Sequence, residues 1–289
     1  MQKKFTYEDA ALAVNRWAKN QLIKLNIDFD ENNGIPYFIQ YLNYRSKSII
    51  QRKRIVTCST KFSVTDENQN GFEALKKTLE NGDDVNAYLS KLSIKADKID
   101  GLLDSFGVKH FHLGEKISGQ FVNRTGEIAL ALVTSDEVFF ICSKMHGKDH
   151  PDIWYEKDVL EITHAERPDL IKSFKSRGLI CISNEVNTTG DIKMYRDMGL
   201  VSFTTLDNGT TYAPSKFQSI SGFPIQYNDL MSYNSNQIFI LANKICEDNP
   251  NIESIEIAQL ELTMEGDLTS IIFKIYDGKE FINMPYYKN

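Results

Sequence analysis

Hydrophobic positions recur along the first thirty residues at helical spacing. Ala10, Val14, Trp17, Ala18 and Leu22 fall three and four apart, which predicts an amphipathic helix over 7–25. Thr6 followed by Asp9 forms a capping-box pattern at its start, with Asp in the place of the usual Glu or Gln. The polar stretch 28–34 predicts a loop. Pro36 then opens a second helix through Ile39 and Leu42. The stretch 52–64, with Ile55-Val56-Thr57, reads as a strand. Helical spacing returns over 71–81, with Gly82 as the C-terminal stop, in a short helix at 85–89, and over 98–106, stopped by Gly107.

The period then changes. Val108-Lys-His-Phe-His-Leu113 alternates as a strand does, and two apolar runs, 127–133 and 137–143, flank Thr134-Ser-Asp136 as a hairpin. Ile128, Leu130 and Leu132 share one face of the first run, and Ala129, Ala131 and Val133 share the other. Two apolar faces predict a central place in a sheet. A polar loop at 144–152 leads to a helix over 155–165, where Trp154 and Tyr155 read as packing anchors. Pro168 suits the first turn of another short helix.

Further on come a short strand at 179–182, a helix over 191–198 ended by Gly199, and strands 201–206 and 210–213 around the tight turn Asp207-Asn-Gly209. A helix over 228–246 precedes a hairpin, 255–263 and 269–276, turning about Glu265-Gly266, and 280–284 reads as a further strand. Strands in runs, not in regular alternation with helices, predict an α+β fold. It has a central antiparallel sheet with flanking helices, a helical N-terminal region, and a C-terminal helix plus β-hairpin. Three consecutive regions are expected: 1–95, 96–177 and 178–289.

Composition narrows the class without naming it. Of the 289 residues, 42% are hydrophobic and 25% charged, close to the globular average, so long disorder is not expected. The net charge of −6 makes the whole chain no obvious polyanion binder. The four cysteines, Cys58, Cys142, Cys181 and Cys246, are far apart with no C-x-x-C pair, and they read as reduced and structural. The absence of a signal-peptide core and of a membrane-length apolar run predicts a cytoplasmic protein with no membrane partner.

The chemistry concentrates in one stretch. All five histidines lie between His110 and His164. His110 and His112, two apart on a strand, share a face, while Phe111 and Leu113 take the other, so one face is expected to be buried and one to carry two imidazoles. Such a pair can ligate a metal together with His146, His150 or a carboxylate. It can act as general acid and base near neutral pH. With Arg124, Lys144 and Lys148 nearby it can also stabilise a phosphate oxyanion. The bland alternative is a tolerated polar strand face. His164, near a helix C-terminus, suits the dipole there and reads as structural. H-E-x-x-H, P-loop, dinucleotide and G-x-S-x-G motifs are all absent, which argues against a standard NTPase, Rossmann dehydrogenase or serine hydrolase.

A second asymmetry lies upstream. From 34 to 65 there is no acidic residue, and Arg45, Lys47, Arg52, Lys53, Arg54 and Lys61 are interleaved with Tyr37, Tyr41 and Tyr44. Basic side chains can neutralise phosphates and tyrosines can stack on unpaired bases. Tyrosines three and four apart also suit plain helix packing.

Two resemblances follow from these residues. Asp104-Ser-Phe-Gly-Val-Lys-His-Phe-His-Leu-Gly114, Arg124-Thr-Gly, the hairpin 128–141 and Glu161-Ile-Thr-His-Ala-Glu-Arg-Pro168 resemble a family of uncharacterised prokaryotic proteins over roughly 50–220. The hairpin followed by a loop with His146 and Lys148, with Arg124 just upstream, resembles the RelE/HigB-like toxin ribonucleases. The chain is longer and less basic than those toxins. The resemblance implies metal-free RNA cleavage, as a toxin or phage-defence effector. His110, His112 and His146 would serve as acid and base. Arg124 and Lys148 would steady the phosphate, and Arg45, Lys47, Arg52, Lys53 and Arg54 would hold the RNA. No cofactor is expected, and the partners expected are RNA and a protein such as an antitoxin. A metal-dependent nuclease or hydrolase, and a non-enzymatic interaction protein of a phage or mobile element, remain the alternatives.

Overall fold

The computed structural model describes residues 5–150, 152–153, 157–176, 188–198, 203–214, 223–263, 266–277 and 279–287. In chain order its helices are α1 (Tyr7–Lys24), α2 (Tyr37–Lys47), α3 (Gln69–Asn81), α4 (Gly101–Phe106), α5 (Asp158–Glu166), α6 (Pro168–Ile171), α7 (Thr189–Asp197) and α8 (Ile225–Asp248). The strands are β1 (Ile55–Cys58), β2 (Val108–His112), β3 (Ile117–Ser118), β4 (Phe121–Val122), β5 (Glu127–Val133), β6 (Glu137–Met145), β7 (Thr204–Thr205), β8 (Thr211–Tyr212), β9 (Ser254–Leu262), β10 (Leu268–Tyr276) and β11 (Phe281–Tyr287). The α+β class holds. The strand expected at 179–182, the packing roles of Trp154 and Tyr155, and Cys181 lie outside the described residues. None of the described helices is long and apolar enough to cross a membrane.

The chain forms two compact units, each discontinuous in sequence: 1–46 with 94–97 and 223–289, and 47–93 with 98–222. The sequence reading drew three consecutive segments instead. Only tertiary packing reveals that the two ends of the chain share one core.

In the first unit, α1 and α8 pack with α2 against an antiparallel sheet of order β11-β10-β9. The Thr6 hydroxyl accepts from the Asp9 backbone N–H at 3.1 Å while the Asp9 carboxylate accepts from the Thr6 N–H at 2.9 Å, so Asp completes the capping box. Ala10, Val14, Ala18 and Leu22 are buried, as the period requires. They meet Phe38, Leu42, Ile238 and Ala242 from the helices and Ile271, Phe273 and Ile275 from β10. Tyr41 packs edge-on to Trp17, with ring centroids 5.0 Å apart, and Tyr37 packs likewise on Phe29. These tyrosines are core residues of this unit.

The second unit is built on a four-stranded sheet of order β1-β6-β5-β2. β2, β5 and β6 are antiparallel, as expected, but β1 joins β6 in parallel, pairing Ile55 with Glu137 and Cys58 with Phe140, so the sheet is mixed. β1 is shorter than the 52–64 stretch suggests. Ser59 turns the chain off the sheet, its hydroxyl donating to the Ile141 carbonyl at 2.6 Å and accepting from the Lys61 N–H at 3.1 Å. The β5–β6 register slips between Leu130 and Ala131, leaving Ile141 as the extra residue of a bulge.

Two cores sandwich this sheet. Ile128, Leu130 and Leu132 pack with Phe106, Val159, Leu160 and Ile171 on one face. Ala129 and Ala131 pack with Phe72, Leu75, Leu79 and Phe140 on the other. The double apolar face of β5 therefore has the central place its pattern predicts. α3 presses close enough that a Cβ built on Gly71 would stand 1.7 Å from the Leu113 carbonyl oxygen. Only glycine fits there.

Candidate functional site

β2 pairs with β5 so that His110 lies opposite Leu130 and His112 opposite Ile128. Phe111 and Leu113 enter the α3-side core, which leaves both imidazoles on the α4/α5 face. That face is covered as well. His112 is only 2% exposed, and the His110 side chain 12%. The expected solvent-facing imidazole pair is thus a buried pair, because α4 folds directly back onto the strand it precedes.

His146, just beyond β6, joins them from a separate element. Its backbone N–H donates to the Gly126 carbonyl at 2.7 Å, and its Nδ1 lies 3.3 Å from the same oxygen. The His112 ring lies edge-on to the rings of His110 and His146, with centroids 6.2 and 5.1 Å away. His146 is half-buried, so it forms the accessible end of the row.

Asp100 stands at the buried end. One carboxylate oxygen caps α4, accepting from the Leu103 N–H at 3.1 Å, and the other lies 3.5 Å from His110 Nδ1. The sequence reading missed this residue. The available signal was an Asp at a helix start, ten positions before a strand histidine. Because that cap sets where the helix begins, α4 runs from Gly101 and not from Lys98.

Burial is the main cause holding His112 down to about 3, reinforced by His110, His146 and Arg124. Burial also lowers His110. Asp100 opposes that shift, and His146, Lys109 and Arg124 add to it. Both imidazoles are therefore neutral at pH 7. Neither ring nitrogen of His112 has a hydrogen-bond partner, although both are buried. Such a group is costly, and its retention needs a reason.

Arg124 is exposed and near enough to depress both buried histidines. Thr125 stitches its segment to the end of β2. The Thr125 hydroxyl accepts from the Leu113 N–H at 3.1 Å and donates to the Glu127 carbonyl at 2.6 Å. Glu127 in turn anchors the start of β5. The residue is 5% exposed, and its carboxylate accepts from Thr65 N and Oγ1, Asn68 Nδ2 and Ser143 Oγ at 2.6–3.0 Å. Burial pushes this carboxyl up, and the donors more than offset it, leaving it below its ordinary range. This satisfied network holds Gly126, the residue on which His146 is fixed.

The other predicted positions divide. Lys148 and His150 are exposed in the turn 147–150, where the His150 N–H donates to the Gly147 carbonyl. Lys144 is ion-paired with Asp158. His164 lies 2.8 Å from the Tyr212 hydroxyl and 2.9 Å from the Asn208 amide, a local contact that docks the 207–209 turn on α5. Three of the five histidines thus converge.

The basic segment is not one surface. Lys47 is buried, donating to the carbonyls of Leu92 and Lys98 at 3.1 and 2.8 Å. Arg54 is buried too, donating to Thr134 and Arg52 carbonyls. Arg52 and Lys53 are exposed, with Arg52 paired to Asp136 at 3.3 Å. Arg45 belongs to the first unit and lies over the Tyr44 ring. Among the described residues no group of three or more His, Cys, Asp or Glu side chains is disposed to hold a metal ion.

No protein-family model, curated protein or solved structure matches the chain.

Proposed function

We propose that the second unit is a metal-independent ribonuclease that uses the histidine row as its acid–base apparatus and Arg124 as its phosphate contact. One observation supports the reading: imidazoles from β2 and from just beyond β6 meet in a single row, with the Asp100 carboxylate 3.5 Å from its buried end and Arg124 two residues before the Gly126 carbonyl that holds His146. RNA cleavage needs two proton transfers. The 2′-oxygen forms a bond to phosphorus as its proton leaves, and the bond from phosphorus to the 5′-oxygen breaks as that oxygen gains a proton. His146, the accessible imidazole, exchanges protons with the substrate. His112 and His110 stand behind it as positioning residues. Arg124 stabilises the extra negative charge on the pentavalent phosphate, and Lys148 in the next turn is the second cation of this reading. A toxin or phage-defence role, with RNA and an inhibitory protein as partners, extends the resemblance stated above. Of the basic segment, Lys53, Lys61 and the Asp136-paired Arg52 are exposed and would be the positions to meet an RNA backbone.

The test compares cleavage of a single-stranded RNA by the wild type and by His146→Ala and Arg124→Ala, each in excess chelator. The reading expects wild-type cleavage to survive chelation and each variant to lose about two orders of magnitude or more. Cleavage equal in all three proteins, or abolished by the chelator alone, overturns it.

A further inference from the structure

We infer that Asn33 is a site of spontaneous covalent modification, closing onto the Gly34 nitrogen and reopening as aspartate or isoaspartate. The fold silences the same reaction at the three other Asn-Gly pairs of the chain.

The sequence holds four such pairs: Asn33-Gly34, Asn70-Gly71, Asn81-Gly82 and Asn208-Gly209. Glycine has no Cβ to crowd its own backbone nitrogen, so every pair is reactive in an unfolded chain. Folding decides among them through the glycine N–H. Its proton must leave as the nitrogen bonds to carbon, and an N–H that already donates to a carbonyl must first give up that bond.

Three pairs are held. The Gly82 N–H donates to the Thr78 and Leu79 carbonyls at 3.1 and 3.2 Å, and the Gly209 N–H donates to the Leu206 carbonyl at 2.9 Å. The Asn208 amide nitrogen also lies 2.9 Å from His164 Nε2, which ties down the leaving group. Asn70-Gly71 lies within α3, where Gly71 is buried against the Leu113 carbonyl and the backbone has no room to pivot into a ring.

Asn33-Gly34 differs at each point. Both residues are exposed, in the loop between α1 and α2. Among the described residues no carbonyl accepts from the Gly34 N–H. Gly34 has a φ of +73°, with nothing within 4 Å of where a Cβ would stand, so a ring has space to close. Asn33 Oδ1 accepts from the Ile35 N–H at 2.9 Å, an Asx turn that folds the side chain over the Gly34 peptide. The turn brings Cγ toward the attacking nitrogen, and the Ile35 N–H polarises the carbonyl under attack. Asn208 makes the same turn, its Oδ1 accepting from the Thr210 N–H at 2.9 Å. Those two pairs are therefore separated by the glycine N–H and the leaving group.

The Gly34 nitrogen bonds to Asn33 Cγ and loses its proton. The Cγ–Nδ2 bond breaks, and the departing amide group gains a proton and leaves as ammonia. Water then opens the cyclic imide at either carbonyl, giving aspartate or an isoaspartate whose backbone runs through the side-chain carbon. Either product adds a carboxylate to a loop that already holds Asp28, Asp30 and Glu31. The buried Gln40 fixes the loop on both sides of the reacting pair. Its amide donates to the Asp30 and Ile35 carbonyls at 2.8 and 3.0 Å, and its Oε1 accepts from the Asp30 N–H at 3.0 Å. The change is thus confined between anchored ends, and α1 and α2 keep their seats.

The full chain is aged in mildly alkaline buffer, folded and in denaturing guanidinium chloride. Proteolytic peptides are read by mass spectrometry for deamidation at each pair, and isoaspartate by enzymatic carboxyl methylation. In the folded protein Asn33 should react at least about tenfold faster than the other three, the factor that one hydrogen bond broken before attack is worth. In guanidinium the four rates should converge. Gly34→Ala, with its fold checked by circular dichroism, should slow the reaction at Asn33 by about tenfold or more. Equal rates at the four pairs in the folded protein, a faster pair elsewhere, the same ranking in guanidinium, or an undiminished rate in Gly34→Ala each overturns the inference.

Discussion

Replacing His112 by Leu should make the protein more stable and less acid-sensitive. Leucine is close to histidine in volume and suits a site opposite Ile128 in an apolar core. The wild-type imidazole keeps two buried nitrogens without partners. Each unsatisfied buried polar group costs about 1–3 kcal/mol, and apolar replacement removes that cost. Allowing for imperfect repacking, a net gain of about 2 kcal/mol is expected at pH 7.5. Acid adds a second effect. The unfolded chain protonates His112 near its ordinary value of 6.5, and the folded chain only near 3. The unfolded state therefore binds more protons between these values, and stability falls as the pH drops from 6.5 toward 3. From pH 7.5 to 5 this single group costs about 2 kcal/mol, which His112→Leu should not lose. His110, shifted down mainly by burial, remains in both proteins, so the burial part of its contribution cancels from the difference. Urea unfolding of both proteins at the two pH values measures this directly from the midpoints, with slopes expected to match. A variant less stable than wild type at pH 7.5, or one with an undiminished acid loss, would show that His112 is held by interactions of its own. The case for a site kept at the expense of stability would then be refuted.

Other expectations follow from neighbouring residues. Glu127→Gln sets an amide N–H against hydroxyl and amide donors and should cost about 2–3 kcal/mol in urea unfolding. Because the Glu127 carboxyl lies below its ordinary range, its contribution is present above that range and is lost as pH falls through the folded value, so the variant should flatten the stability curve on the acid side. Gly71→Ala drives a methyl into the Leu113 carbonyl and should lower stability by about 3 kcal/mol, readable as a drop in thermal midpoint. Arg52→Ala with Lys53→Ala should leave stability nearly unchanged and reduce the salt slope of RNA binding by about 2, measured by filter binding at several salt concentrations. An unchanged slope would take the basic segment out of the RNA interface.

Local rules carried far along this chain. The Thr6 capping box, the left-handed stops at Gly82 and Gly107, and the two apolar faces of β5 all stand where spacing and residue type place them. Each depends on interactions within a few residues or on a single strand's alternation. The parallel entry of β1 beside β6 does not. It joins residues about eighty apart, and no local period encodes which strand a short apolar run will pair with. The union of α1 and α2 with α8 and β9–β11 is non-local in the same way.

The site shows both sides of this boundary. Histidine clustering marked His110, His112 and His146, and strand alternation put the first two on one face. Alternation cannot say whether a polar face is solvated, because that depends on what packs over it, and here α4 and α5 do. The same blindness hid the roles of Lys47 and Arg54, whose charges read as surface but end on backbone carbonyls. It also hid Asp100, whose side chain serves a helix cap and an imidazole together.

The most direct test of the account is the chemistry of the ends left on a cleaved RNA. A single-stranded RNA incubated with the protein in excess chelator should yield 2′,3′-cyclic phosphate and 5′-hydroxyl ends, and the same strand with 2′-deoxy sugars should stay intact. Cleavage of the deoxy strand at a comparable rate, 5′-phosphate products, or no cleavage of RNA at all would contradict it.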